Sequence, residues 1–175
     1  MIKYTPMQEI DSLLVFSLMR AFYDHVSPPI SDDVIWKNIQ NCTSSYPYAE
    51  GWVFSDENTL VGYAILSRGY LTQTARESIR VEDLYVAPAY RHLDIGQDFL
   101  KALPGLYPGC GYVSLESGGG RRESGRYRLL GYHPLSALMA APCPPEKPPE
   151  KPAGRRKKAP AEARSSARRK PDPGK

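Results

Sequence analysis

Residues 85–103, YVAPAYRHLDIGQDFLKAL, run from the end of an apolar strand through a basic turn into an apolar helix. Pro88 ends the strand, because proline cannot donate to a sheet ladder. The apolar spacing predicts a helix over Ile95–Leu103, and Pro104 and Gly105 are expected to stop it. A strand that passes directly into a helix indicates a fold in which helices and a sheet form packed layers.

The rest of the chain up to residue 138 predicts further strands and helices in the order β-α-α-β-β-β-α-β-α-β. The expected fold class is α/β (α+β layered), a mixed, mostly antiparallel sheet flanked by helices. Two helices are expected between Asp11 and Ile39, and two apolar segments around Asp56–Thr59 predict a hairpin. The hairpin strands are Gly51–Ser55 and Leu60–Ser67. The other predicted elements are the strands Ile2–Thr5, Ile79–Val86, Tyr112–Glu116 and Tyr132–Leu138 and a short helix Arg126–Leu130.

Charge divides the chain into two parts. Residues 1–140 hold 12 Lys and Arg against 15 Asp and Glu, whereas residues 141–175 hold 11 against 4. The second segment is rich in proline and has few large apolar side chains, so it cannot offset its ordering entropy by burial. We expect one domain over residues 1–140 and a disordered basic tail over residues 141–175.

The cysteines and histidines are dispersed along the chain and form no ligand-like spacing, so we expect no metal site. No apolar run approaches the ~20 residues of a membrane span, and no signal peptide opens the chain. The default expectation is a cytoplasmic protein without a membrane partner.

The turn before the predicted helix carries the elements of an anion site, but one residue conflicts with it. Arg91 supplies a cation, Gly96 lets a ligand approach the backbone, and the helix start supplies N–H donors. Asp94 brings a negative charge to the same turn. Asp94 and Gln97 have the spacing of a capping box, so these residues alone leave open an anion site or an ordinary capped helix.

This turn resembles the acetyl-CoA-binding motif of the GNAT N-acetyltransferase superfamily, a strand followed by V-x-P-x-Y-R-x-x-G-x-G and an apolar helix. Asp94 stands where the family usually has its first glycine. The preceding VEDLYV, residues 81–86, resembles the matching strand of the branch that acetylates small diamines and related amines. The chain matches the motif at Val86, Pro88, Tyr90, Arg91, Ile95, Gly96, Phe99 and Leu100.

A second stretch is also similar to the family, which carries Y-x-x-x-G-[FY] near its C-terminus. Here Tyr127, Gly131 and Tyr132 match it. The family's Asn-x-x-Ala segment is replaced by residues 118–123, GGGRRE. The resemblance covers residues 2–138 and implies acetyl-CoA as co-substrate, with no metal. The cofactor-binding residues that it implies are Leu84, Tyr85, Val86, Arg91, His92, Leu93, Asp94, Ile95, Gly96 and Gln97.

The same resemblance implies acetyl transfer to a primary amine of a small molecule or peptide by direct attack. It favours Glu82 as the base that takes a proton from the amine and Tyr127 as the acid that protonates the thiolate. Alternation along the strand predicts that Glu82 and Asp83 lie on opposite faces. Asp83, Tyr23 and Trp36 are expected near the amine.

A competing hypothesis is a GNAT-like domain whose catalysis is weakened by Asp94 and by the segment Gly118–Arg122, so that it acts as a binding module. Its basic tail would then contact nucleic acid or another anionic partner. No aromatic residue interleaves the basic clusters of the tail, which excludes base stacking. A homodimer is left open.

Overall fold

The structure is a computed structural model that describes residues 1–24, 29–116 and 121–135, with residues 121–124 described by their backbone alone. Met1–Leu135 forms one compact unit. Its strands are β1 (Ile2–Pro6), β2 (Ala49–Asp56), β3 (Thr59–Leu71), β4 (Arg76–Val86) and β5 (Tyr112–Leu115). Its helices are α1 (Ser12–Tyr23), α2 (Asp32–Thr43), α3 (Ile95–Leu106) and α4 (Arg121–Leu129), with 3₁₀ turns at Glu9–Asp11 and Pro88–Leu93.

The five strands form a single sheet in the order β1-β2-β3-β4-β5. The first three pairings are antiparallel, and β4 pairs with β5 in parallel. This confirms the predicted mixed, mostly antiparallel sheet. The parallel ladder ends where Val81 faces Leu115, so within the described residues the Glu82–Val86 part of β4 has no partner on its β5 side.

Two apolar cores lie on the two faces of this sheet. Side chains from α1 and α2 pack with Tyr63 and Ile65 of β3 on one face. Side chains from α3 pack with Ala64 and Leu66 on the other. Neighbouring residues of β3 therefore serve opposite cores, as the two-residue repeat of a strand requires.

A β-bulge at Glu82 interrupts this alternation in β4. Ile65 pairs with Asp83 and Leu66 pairs with Val81, which leaves Glu82 as the extra residue. Before the bulge, Val81 belongs to the α3 core, and after it Leu84 packs against the same core. The extra residue resets the two-residue repeat, so the face pattern predicted from strict alternation holds through Glu82 and is wrong from Asp83 onward.

Helix α3 is longer than the sequence predicts, because Pro104 lies inside it and does not end it. Proline has no N–H, so it cannot donate to the carbonyl of Leu100, four residues earlier. The hydroxyl of Tyr132 donates to that carbonyl at 2.8 Å instead. A side chain from another segment thus replaces the missing helical donor.

The predicted last strand is not seen where the structure describes it. Tyr132–Leu135 has no strand pairing, because α4 runs into a turn that Gly131 closes with φ of 91°. The rest of that predicted strand, the boundary at residue 140 and the basic tail lie outside the described residues. No helix within the described ranges is long and apolar enough to cross a bilayer.

Candidate active site

A cavity of about 310 Å³ lies where the C-terminal end of β4, the N-terminus of α3 and helix α4 meet. Its walls combine apolar side chains with two arginines and one carboxylate. The lining residues are Leu84, Val86, Arg91, Asp94, Ile95, Gly96, Gln97, Leu100, Arg126, Tyr127 and Leu130.

The backbone of β4 opens toward this side because the strand has lost its β5 neighbour there. The N–H of Ala87 donates to Val61 of β3 at 2.9 Å. In an antiparallel ladder successive residues point their N–H and C=O groups to alternate sides, so those of Leu84 and Val86 point away from β3. An extended ligand can pair with the outward N–H groups of Leu84 and Val86 and with the carbonyl of Leu84 at this edge, in the manner of an added strand.

Arg91 is held in place by β4 itself. Its Nε donates to the carbonyl of Val86 at 3.0 Å, and its guanidinium carbon lies 5.7 Å from the centre of the Tyr85 ring. Tyr85 is buried in the core formed with α1 and α2, so its side chain does not line the cavity. The Tyr85 ring therefore supports the cation from the core, and of the implied cofactor-binding strand Leu84–Val86 only Leu84 and Val86 line the cavity.

Asp94 occupies the left-handed region, with φ of 53° and ψ of 19°. Glycine reaches this conformation without strain, and aspartate tolerates it better than most residues. The capping box that the spacing of Asp94 and Gln97 left open does not form, because the Asp94 side chain makes no cap hydrogen bond. It instead accepts a hydrogen bond from Nε2 of Gln97 at 2.5 Å, so the first N–H groups of α3 are not used by Asp94.

Gly96 leaves room at the start of α3. A Cβ atom there would lie 3.5 Å from Leu84 Cδ2, which is ordinary van der Waals contact. Packing within the described protein therefore does not demand glycine at this position. The space fits a ligand that comes close to the helix backbone.

His92 and Leu93, which the sequence placed with the cofactor-binding residues, do not line the cavity. Both lie on the 3₁₀ turn Pro88–Leu93 with exposed side chains. The turn places the Arg91 side chain at the cavity and the side chains of His92 and Leu93 in solvent.

Glu82 lies at the bulge with an exposed carboxylate. It accepts a hydrogen bond from the hydroxyl of Ser67 at 2.5 Å, and Arg80 Nε lies 3.4 Å from it. Arg80 is shared, since its Nη2 atom also contacts Oε1 of Glu116 at 2.5 Å. Ser67 is two residues from Ile65, on the face of β3 that α1 and α2 cover. Glu82 therefore lies on that same face.

Asp83 faces the α1 and α2 core and is half-buried. The hydroxyls of Tyr23 and Tyr63 both donate to its Oδ2 atom, Tyr63 at 3.4 Å. Burial raises the pKa of the Asp83 carboxyl, and the two hydroxyls partly oppose that shift. Glu82 and Asp83 therefore share one face, and their predicted placement on opposite faces is wrong because of the bulge.

The buried thiol of Cys42 belongs to the core around Asp83. Burial raises the pKa of this thiol to about 11, and the nearby Asp83 charge adds to the shift. A thiol with a raised pKa is a weak nucleophile. Cys42 is therefore a packing residue in this core.

Trp36 is not brought to Asp83 by any contact within the described residues. Its ring stacks on Phe16, with the centroids 4.6 Å apart, between α2 and α1. Of the three residues expected near the amine, Tyr23 and Asp83 are hydrogen-bonded to each other, and Trp36 contacts neither within the described residues.

Tyr127, which the resemblance implies as the acid, lines the cavity and packs against the α3 core. Helix α4 begins at Arg121, earlier than the predicted Arg126, so its first turn falls in the segment that replaces the family's Asn-x-x-Ala. Sequence reasoning missed Arg126 and Leu130, which line the cavity beside Tyr127. The one available signal was the helical spacing of Leu130, three residues after Tyr127 and four after Arg126. Among the described residues, no group of three His, Cys, Asp or Glu side chains is arranged to hold a metal ion.

Comparison with known proteins gives one family and many similar structures. Residues 14–119 match the model of the acetyltransferase (GNAT) family. No curated protein matches the chain. Among solved structures, one described as a possible acetyltransferase from Clostridium difficile 630 is 11% identical with a TM-score of 0.73, covering 83% of this chain and 99% of its own.

Two further structures carry more specific names. The enzyme AAC(6')-Iy, in complex with a bisubstrate analogue, CoA-S-monomethyl-acetylneamine, is 13% identical with a TM-score of 0.66 over 82% of this chain and 99% of its own. Glucosamine-6-phosphate N-acetyltransferase from Arabidopsis thaliana is 15% identical with a TM-score of 0.61 over 81% and 98%. At these identities the likeness establishes the fold.

Proposed function

Because the chain belongs to the GNAT acetyltransferase family, we propose that it transfers the acetyl group of acetyl-CoA to a primary amine of a small molecule or peptide. The observation that carries the proposal is the cavity at the end of β4. It joins a strand edge without a described neighbour, the N-terminus of α3 and two arginines. An amide-containing arm with a phosphorylated end requires these three features together.

The residues of the cavity fit acetyl-CoA by chemical type. The outward N–H groups of Leu84 and Val86 and the carbonyl of Leu84 would pair with pantetheine amides. The first N–H groups of α3 and the guanidinium of Arg91 would bind the diphosphate, next to the open space at Gly96. When bound, acetyl-CoA supplies a thioester whose acyl carbon is open to attack by an amine.

The chain's own carboxylates would prepare that amine. A primary amine is protonated near neutral pH and must lose a proton before it attacks. Glu82 would accept this proton directly or through water, and Ser67 would hold its carboxylate in place. Asp83, on the same face and fixed by Tyr23 and Tyr63, would attract the cationic form of the amine. Trp36 would border the acceptor from further away.

Two groups would complete the reaction. The backbone N–H groups at the open end of β4 would stabilise negative charge developing on the acyl oxygen. Tyr127, which lines the cavity from α4, would donate its phenolic proton to the departing thiolate. In this scheme the bond from carbon to sulfur breaks and an amide bond forms. The protonated amine loses two protons in all: Glu82 accepts one before the attack, and the second leaves the nitrogen after the attack and, directly or through water, replaces the proton that Tyr127 gives to the sulfur.

Names of similar structures favour an amine acceptor but do not select one. One is a glucosamine-6-phosphate N-acetyltransferase, and another is a ribosomal-protein-alanine N-acetyltransferase from Brucella melitensis biovar Abortus 2308. Small amines and peptide N-termini both belong in the test. The carboxylates of Glu82 and Asp83 on one face favour a cationic small molecule.

The test is a thiol-release assay with purified protein, acetyl-CoA and a panel of polyamines, lysine analogues, aminoglycosides and peptide N-termini. Thermal unfolding with and without acetyl-CoA accompanies it. The proposal expects a higher Tm with acetyl-CoA, as binding to the folded state requires, and thiol release with at least one amine. A higher Tm without release from any acceptor would favour the binding-module hypothesis. The absence of both effects, with no rise in Tm and no thiol release from any acceptor, would overturn the enzyme hypothesis.

A further inference from the structure

Two arginines of different elements line the cavity, Arg91 from the turn after β4 and Arg126 from α4. Asp94 lines it as well, and its partner is the amide of Gln97. Within the described ranges neither arginine forms an ion pair with a carboxylate. The charged groups of the cavity walls thus amount to two cations and one anion.

Asp94 makes the second cation important. A carboxylate at this position lies beside the first N–H groups of α3, where an anion would bind, and repels it. Arg91 alone would leave the cavity walls without net charge. Arg126 restores an excess of positive charge, and its exposed side chain is long enough to adjust to a bound anion.

We propose that Arg126 binds the diphosphate of acetyl-CoA from the α4 side of the cavity and offsets the charge of Asp94. This inference rests on the proposed function, because acetyl-CoA brings the diphosphate. It makes α4 part of the cofactor site through a residue that stands next to Tyr127 in the sequence.

A structural role for Arg126 is the competing explanation, and the chain offers a control for it. Arg126 and Arg128 both lie in the last turn of α4, where cations stabilise a helix by interacting with its C-terminal dipole. Only Arg126 lines the cavity. If Arg126 acts only through helix stability, replacing Arg126 or Arg128 should weaken acetyl-CoA binding to the same extent. If Arg126 contacts the ligand, only the replacement of Arg126 should weaken binding.

The experiment measures the Kd of acetyl-CoA by calorimetry for the full chain and for Arg126→Gln and Arg128→Gln, with circular dichroism to verify folding. We expect Arg126→Gln to weaken binding by about 5- to 10-fold, the range of a charge-assisted contact at an exposed site, and Arg128→Gln to leave it unchanged. Arg126→Lys, which keeps the charge, should recover part of the loss. The double variant Asp94→Asn with Arg126→Gln should return toward the parent affinity.

Acetyl-3′-dephospho-CoA separates the two phosphate sources of the cofactor. If Arg126→Gln weakens the binding of this ligand as much as that of acetyl-CoA, Arg126 contacts the diphosphate. If Arg126→Gln no longer weakens binding, the inference is overturned and the contact is with the 3′-phosphate. Equal affinity in Arg126→Gln and the parent, or equal losses in Arg126→Gln and Arg128→Gln, would also overturn the inference. Failure of the parent to bind acetyl-CoA would overturn the proposed function and this inference with it.

Discussion

The hydroxyl of Tyr132 donates a 2.8 Å hydrogen bond to the carbonyl of Leu100, the group that Pro104 leaves without a helical donor. This bond ties the segment after α4 to the middle of α3, and both helices contribute walls to the cavity. Burial also raises the pKa of Tyr132 to about 12, so the phenol remains a donor throughout the physiological range.

Tyr132→Phe should lower the free energy of unfolding by about 1–3 kcal/mol, because it leaves a part-buried carbonyl unsatisfied. Pro104→Ala supplies an N–H to the same carbonyl, so Tyr132→Phe should cost less in that background. Urea unfolding of the parent, both single variants and the double variant measures the coupling. Identical costs of Tyr132→Phe in the two backgrounds would show that the bond does not replace the proline's missing donor.

Asp94→Gly should tighten acetyl-CoA binding, because it removes a charge beside the diphosphate and relieves a residue held at φ of 53°. Asp94→Asn removes the charge alone, and asparagine also tolerates this conformation. We expect Asp94→Asn to lower the Kd by roughly 3-fold, as for a screened surface charge, and Asp94→Gly by at least as much. Unchanged or weaker binding in both variants would mean that the carboxylate does not oppose the ligand.

Glu82→Gln should lower kcat/KM by about 100-fold or more, because an amide cannot accept the proton of the amine. Ser67→Ala keeps the carboxylate and removes only its hydrogen-bond donor, so its effect should be smaller. Steady-state kinetics with the best acceptor of the screen measures both. Full activity in Glu82→Gln together with its loss in Asp83→Asn would transfer the role of base to Asp83.

Tyr127→Phe should lower kcat by about 100-fold and change the Kd of acetyl-CoA much less, since the phenolic proton matters when the thiolate leaves. Tyr90→Phe serves as control, because Tyr90 packs against the α3 core and does not line the cavity. Steady-state thiol-release assays measure kcat, and calorimetry measures the Kd of acetyl-CoA. If Tyr127→Phe matched the parent in kcat, Tyr127 would have no part in proton transfer.

Asp83 predicts a pH dependence of stability. Burial raises the pKa of this carboxyl above its ordinary 3.8, so the folded state holds the proton more tightly than the unfolded state. The Asp83 contribution to stability therefore falls as the pH rises from about 3.8 through the raised value. Asp83→Asn lacks this titration and still accepts from Tyr23 and Tyr63, so its stability relative to the parent should increase over that interval.

Chemical unfolding of the parent and of Asp83→Asn between about pH 4 and pH 7 checks this expectation. A stability difference between parent and Asp83→Asn that is constant with pH would contradict it. Asp83→Ala should be destabilised throughout by about 1–3 kcal/mol, because two tyrosine hydroxyls lose their acceptor.

Local sequence determined the elements that frame the site. The apolar spacing and the turn residues around Pro88 and Arg91 specify a strand, a basic turn and a helix, because each depends on neighbours in the chain. The same local information identified Tyr127 on a helix and the family through its motif. Its errors were also local. Pro104 was expected to end α3 but lies inside it, and the spacing of Asp94 and Gln97 fits a capping box but also fits the direct side-chain hydrogen bond that forms.

Only the tertiary structure decided which side chains meet. The bulge at Glu82 arises from the pairing of β3 with β4, and it moved Asp83 to the face of Tyr23 and Leu84 to the α3 side. The end of the β4 and β5 ladder opened the strand edge, and the packing of α4 brought Arg126 to the same cavity as Asp94. These relations join residues far apart in the chain. They depend on sheet register and helix packing, which residue spacing alone does not encode.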